Sequence, residues 1–306
     1  MLAIGYSATI GGLGTPIGTP PNAFLVGHMS EAYGIEMSFW KFMLIGIPLM
    51  IIALPLMHRL LTRMAFSVPN DIVPGAADRI REQFRALGKM GFGERATAVL
   101  FAAAALMWIT REWLEELPGL GGLTDTGIAM LVAVLLFVVP VDFKRGVMLL
   151  DWEHAKKLPW DVLILFGGGL SLAAAFQANH VAEWLGTQAG LLGHWPVWAL
   201  VLALALGITF LTEMTSNTAT AAAFVPVAAS LASGLGENPL LLAVPVALSA
   251  SCAFMLPVAT PPNAIVCGSG HISLPKMARA GVWLNFVFAG LITVLSVTLM
   301  RWVFGV

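Results

Sequence analysis

The sequence predicts an all-α polytopic membrane protein built as an inverted repeat with broken helices, and three observations predict it. The 306 residues are 58% apolar and only 11% charged, with a mean hydropathy of +0.86, against roughly 45–50% apolar and about 25% charged in a soluble domain. Lys and Arg are absent from Leu158 through Pro275, where only Asp161, Glu183, Glu213 and Glu237 carry charge. One proline motif occurs twice, as PIGTPPNAFLVG from Pro16 to Gly27 and as PVATPPNAIVCG from Pro257 to Gly268.

Composition excludes several classes. A net charge of -1 with no basic run argues against a nucleic-acid partner. Cys252 and Cys267 have no CxxC partner and no histidine at ligand spacing, so they read as buried thiols rather than a disulfide or a zinc site. The N-terminus has no charged n-region and no small-residue cleavage site, so it does not read as a signal peptide.

A span needs about 20 apolar residues, or fewer where a helix is broken inside protein. Whole spans are expected at 39–61, 95–112, 125–141, 160–178 and 279–301. Three further segments are interrupted: 2–33 by GGLGTPIGTPPN, 195–234 by TEMTSNTA, and 239–270 by MLPVATPPN. Basic loops mark the cytoplasmic side. The linker from Arg59 to Arg95 carries seven Lys or Arg residues and is expected inside, with Ser67 in it, whereas Glu112, Glu115, Glu116 and Asp125 outweigh Arg111 in the next loop and put it outside. Lys144, Arg145, Lys156 and Lys157 return the chain inside, and Lys276 and Arg279 do so again. Residues 195–234 must then enter and leave on one side, as a re-entrant hairpin with its tip at Ser216-Asn217-Thr218 or as two short crossings. Within the linker, Ile80, Phe84 and Leu87 share a helical face apart from most of the basic residues, which suits a helix at the membrane surface or a solvated connector.

The repeat carries the chemistry. Pro16, Thr19, Pro20, Pro21, Asn22, Ala23 and Gly27 recur 241 residues later, and by the loop charges the first copy travels outward and the second inward. Opposed copies of one motif mark an inverted-topology repeat with its site between the copies near the midplane, which reads as a secondary transporter. The residue before a proline avoids the α region, and proline suits the first position of a helix. Thr-Pro-Pro-Asn is therefore expected as an extended break, a threonine cap and the start of a half-helix, with unsatisfied N–H groups and a positive dipole end aimed at the protein centre. Ser216-Asn217-Thr218 repeats that logic ahead of TATAAAFVPVAA. Such ends receive anions. Glu213 is the loudest nearby charge: an intramembrane acid is a functional candidate by default, yet a carboxylate beside a dianion repels it, so a packing face of the hairpin is the alternative. The histidines at 28, 58, 154, 180, 194 and 271 fall mostly at loops or span ends and form no metal-binding pair, which reads as interfacial polarity.

With TEMTSNTATAAAFVP, CAFMLPVATPPNAIVCGSG and GGLGTPIGTPPN together, essentially the whole chain resembles the divalent anion:sodium symporter family of the ion transporter superfamily. The resemblance implies two hairpins with Ser-Asn-Thr tips, each paired with an unwound proline helix. Only the second tip is present, so the N-terminal helices are expected to be missing, as in a fragment or a wrongly called start. It also implies one sodium site at the Thr212 hydroxyl, the Thr215 carbonyl, Asn217 and the Ala259 carbonyl, with Gly18 supplying a carbonyl to the other. Substrate carboxylates would meet Ser216, Asn217, Thr218, Thr260, Pro261 and Thr19. The domains expected are 1–61 as the end of the first repeat, 62–94 as an amphipathic cytoplasmic linker, and 95–306 as the second repeat.

The function so implied is sodium-coupled symport of a small dianion, most readily a C4-dicarboxylate such as succinate, with Na+ the coupling ion and no cofactor. A homodimer in a bacterial inner membrane is the expectation that goes with it. Sulfate or another inorganic anion is the alternative substrate, and a proton-coupled or arsenite-type relative is the alternative mechanism, for which Glu213 is the only intramembrane relay available. No GxSxG, HExxH or GxxxxGK[ST] occurs to support an enzyme or ATP-driven transport.

Overall fold

The computed structural model describes residues 1–66, 75–181, 184 and 195–305. Ser67 and the rest of the linker through residue 74, Glu183 and His194 lie outside them. The helices, in chain order, are α1 (Leu2–Gly12), α2 (Pro20–Tyr33), α3 (Phe39–Arg59, continued by a wide turn over Leu60–Ala65), α4 (Ala76–Ala86), α5 (Phe92–Leu114), α6 (Asp125–Val138), α7 (Trp152–Ala155), α8 (Trp160–Ala178), α9 (Val197–Thr212), α10 (Asn217–Gly234), α11 (Leu240–Ala250), α12 (Pro261–Gly268) and α13 (Leu274–Phe304). The chain divides into two compact units, Met1–Val68 with Trp160–Val306, and Pro69–Pro159. Among the described residues, three helical stretches are long and apolar enough to cross a membrane: Phe39–Ala65, Phe92–Leu114 and Leu274–Phe304.

In the larger unit α11 lies at the centre. Its sequence LLLAVPVALSA is apolar all round, and every residue from Leu240 to Ala250 is buried, against α9, α10, α2 and α13. A helix with no polar face is stable only where every face is covered by protein or lipid. The two arms α9 and α10 of the expected hairpin make few contacts with each other: α10 packs mainly on α11, and α9 on α13 and α11.

The two broken helices pack crosswise, α1 on α12 and α2 on α11. Reciprocal contact of that kind is what a two-fold relation produces, and the local geometry repeats with it. Thr19 has φ -140° and ψ 148°, and Thr260 has φ -141° and ψ 148°. Asn22 Nδ2 donates to the carbonyls of Gly12 (3.3 Å) and Thr15 (2.9 Å), while Asn263 Nδ2 donates to those of Ala253 (3.0 Å) and Leu256 (3.1 Å), each partner again 241 residues on. The asparagine of each motif thus closes its own break by holding two carbonyls that left the helix ladder. The helix after each break then presses a glycine onto it. A Cβ on Gly46 of α3 would sit 2.5 Å from the Leu13 carbonyl oxygen, and one on Gly281 of α13 would sit 2.3 Å from that of Phe254.

A longer-range tie joins the repeats. Tyr6 on α1, fully buried, donates its hydroxyl to the Phe254 carbonyl at 2.7 Å and meets the Phe254 ring edge-on at 5.3 Å. Tyr6→Phe leaves that carbonyl without its donor, at a cost of about 1–3 kcal/mol. The expected result is a thermal midpoint lower by several degrees in detergent solution; an unchanged midpoint would show that the bond contributes nothing.

In the smaller unit α5 packs on α6, and the Trp108 indole N–H donates to the Asp125 carbonyl at 3.0 Å. Only Ala104 of α5 is buried, while Phe101, Leu106 and Trp113 are exposed in a helix long enough to span, the surface that lipid would cover. The span expected at 125–141 is a shorter helix. Val139 precedes Pro140 and turns extended, so α6 stops at Val138 and residues Pro140–Asp142 pair antiparallel with Val147–Met148. Ile80 and Phe84 of α4 and Leu87 at its C-cap are all exposed beside Arg79, Arg81 and Arg85. His28 departs from the interfacial expectation: it lies within α2, 2% exposed and stacked on Phe24.

Candidate substrate and cation site

Three helix N-termini meet at one cavity of about 190 Å³. Its lining includes Thr19, Pro20 and Pro21 at the start of α2, Thr260, Pro261 and Pro262 at the start of α12, and Asn217 at the start of α10. At roughly 30 Å³ per water the volume holds about six waters, a space suited to a small metabolite rather than a drug-sized ligand. Among the described residues, no lysine, arginine or other charged residue lines it.

Of the sequence-predicted residues, Gly18, Thr19, Asn217, Thr260 and Pro261 line this cavity together. Thr218 is buried in the first turn of α10, and Ser216 caps that helix through a long 3.5 Å contact from the Ala219 N–H; neither lines the cavity. Thr212 is buried four residues before Ser216, Ala259 is buried beside Thr260, and the Thr215 side chain is exposed and turned to the Leu211 carbonyl and the Thr220 hydroxyl.

The donors at the three ends differ, and one of the expected caps is absent. Prolines occupy the first two positions of α2 and α12 and bring no N–H. The next N–H groups are already spent, Asn22 on the Thr19 carbonyl and Asn263 on the Thr260 hydroxyl. The unsatisfied backbone donors expected there are therefore absent, and those two ends present their dipoles and hydroxyls only. At α10, by contrast, the Asn217 and Thr218 N–H groups meet no acceptor among the described residues. The Thr19 side chain makes no cap for its own helix; it accepts a hydrogen bond from the Ser251 hydroxyl at 3.1 Å instead. Ser251, at the end of α11, and Thr9 line the cavity and were not foreseen. The signal for Ser251 was a pair of hydroxyls, Ser249 and Ser251, closing an apolar run immediately before the break.

Behind Asn217 lies a cluster of oxygens. The Thr212 hydroxyl oxygen is 2.7 Å from Asn217 Oδ1 and 2.8 Å from the Ala250 carbonyl oxygen. A hydroxyl has one hydrogen and can donate to one of the two, so oxygens outnumber the hydrogens between them. That is the environment a hard cation selects. The Ala250 carbonyl is an addition to the expected set. Among the described residues no group of three His, Cys, Asp or Glu side chains is placed to hold a metal, and both cysteines are free, Cys252 buried and Cys267 partly so.

Broken helices, a cavity without charge at their crossing and an apolar exterior define a multi-pass membrane protein. The family described as the sodium:sulfate symporter transmembrane region matches residues 1–306, and the chain belongs to that family of divalent anion:sodium symporters. It is similar to the sodium-dependent dicarboxylate transporter SdcS of Staphylococcus saprophyticus, with 45% identity over 308 residues that cover 100% of this chain and 59% of the relative. The protein of the same name from Staphylococcus aureus strain USA300 is 43% identical over the same shares. The chain spans about 59% of the length of these curated relatives.

Proposed function

We propose that the protein is a sodium-coupled symporter of divalent anions, most readily C4-dicarboxylates such as succinate. The observation that carries this reading is the cavity itself, where three helix N-termini meet without any basic side chain. Each helix end supplies about half a charge, worth roughly 0.3–2 kcal/mol. Two carboxylates desolvated there need more than that. A cation bound beside them, at Thr212, Asn217 and the backbone carbonyls of Ala250, Thr215 and Ala259, supplies the balance. Gly18 serves the first repeat in the same way. The anion then meets Thr19, Thr260 and the first turn of α10 at Asn217 and Thr218, with Ser216 and Pro261 at the edges. The names borne by the relatives support the substrate class.

On this reading residues 1–61 end the first repeat, 62–94 form a cytoplasmic linker and 95–306 form the second repeat, in a homodimer set in the bacterial inner membrane. The test is uptake of labelled succinate by the full-length protein in proteoliposomes. Uptake should require sodium and vanish when choline replaces it. Uptake indifferent to sodium that tracks a proton gradient would sink the coupling, and sulfate that competes more strongly than succinate would move the substrate to an inorganic dianion.

A further inference from the structure

Glu213 is 2% exposed, without a cationic partner among the described residues, and both its oxygens act as acceptors. Oε1 receives the N–H groups of Phe254 at 2.7 Å and Met255 at 2.8 Å and the Asn285 side-chain amide at 2.8 Å; Oε2 receives the Leu256 N–H at 2.9 Å. Three successive backbone donors folded around one anionic group form an anion nest. These are the donors that the break after α11 removes from any helix ladder, and none of them has another acceptor. Asn263 and Tyr6 hold the carbonyls of the same stretch. Glu213 alone reaches it from the hairpin, and Glu213 directly follows Thr212.

From this we infer that Glu213 is a positioning residue for the cation site: its carboxylate fixes the hairpin tip to the unwound stretch 254–256, so that the oxygens of Thr212 and Asn217 and those of the break face one another at a set distance. The inference rests on the sodium-coupled reading above. The acid neither meets the anion nor relays protons. It supplies the negative acceptor that four donors need and holds the two halves of one site in register.

Glu213→Gln keeps the size of the side chain but replaces one acceptor oxygen by a donor amide facing N–H groups. Partners behind metal ligands typically alter metal affinity by about 10–100-fold, and a rise of that order in the half-saturating sodium concentration is expected. The measurement is the thermal midpoint of the purified full-length protein, followed by tryptophan fluorescence while sodium replaces choline, without substrate. Tyr6→Phe loosens the same stretch without touching the tip and serves as the contrast: it should lower the midpoint and leave the sodium titration at its wild-type position. A wild-type midpoint indifferent to sodium overturns the coupling reading and this inference with it. A sodium-responsive wild type with an identical titration for Glu213→Gln overturns the inference alone, as does an equal displacement in Tyr6→Phe. Should Glu213→Gln not be recovered folded, Glu213→Asp, which keeps the charge and loses the reach, decides by the same criterion.

Discussion

Asn217→Ala should abolish sodium dependence and substrate affinity together. The residue stands at the first position of α10, lines the cavity, and brings Oδ1 to 2.7 Å from the Thr212 hydroxyl oxygen. One amide therefore sits between the anion and the cation. A hydrogen bond to a charged group contributes about 1.5–3 kcal/mol, which is about 10–150-fold in affinity. Loss of a cation ligand compounds it, because the anion binds tightly only after its counter-ion. Succinate uptake measured against sodium concentration should show kcat/KM reduced by more than the substrate term alone. If the variant lost substrate affinity while its half-saturating sodium concentration stayed fixed, the shared amide would be wrong and the cation would sit elsewhere.

The second large effect is steric. A Cβ on Gly18 would lie 2.2 Å from the Gly12 carbonyl oxygen and 2.8 Å from its carbon, both backbone atoms that cannot swing aside. Gly12 faces Gly18 in return, with its own added Cβ 2.8 Å from the Gly18 oxygen. The equivalent positions 241 residues on are Ala253 and Ala259, so the second break accommodates methyl groups that the first cannot. Gly18→Ala forces the first break apart beside Thr19, and overpacking of this kind costs about 1–3 kcal/mol or more. Both the thermal midpoint and succinate uptake should fall sharply. Wild-type values for this variant would show that the first break is looser than its geometry.

Much of the site was legible because the motif is local. In TPPN the sterics of two prolines, the extended residue before them and the half-helix after them follow from the backbone of a few residues, and the structure repeats that conformation at Thr19 and Thr260 within a degree or two. The helix start at Asn217 was legible too, from a serine cap ahead of a helix-forming run. The silent donors of α2 and α12 were legible too and passed over, since a proline without an N–H is plain in the sequence; the dipole argument had hidden the loss of the donors it was meant to supply. The early end of α6 belongs with them, because Pro140 decides it locally.

What the sequence by itself determined is the solvent and the class: an apolar chain whose basic residues avoid Leu158 through Pro275, with one break motif written twice, specifies a membrane protein with two half-helices opposed. Only the tertiary structure decided where Glu213 points, that Ser251 reaches Thr19, that the Ala250 carbonyl joins Thr212 and Asn217, and that Gly46 and Gly281 seal corresponding breaks. These contacts join residues 27 to 232 positions apart. Backbone sterics act over a few neighbours, whereas which side chains face one another across crossing helices depends on how every helix in the bundle packs, and an acid with no charged partner finds its place only when a broken helix offers it three N–H groups.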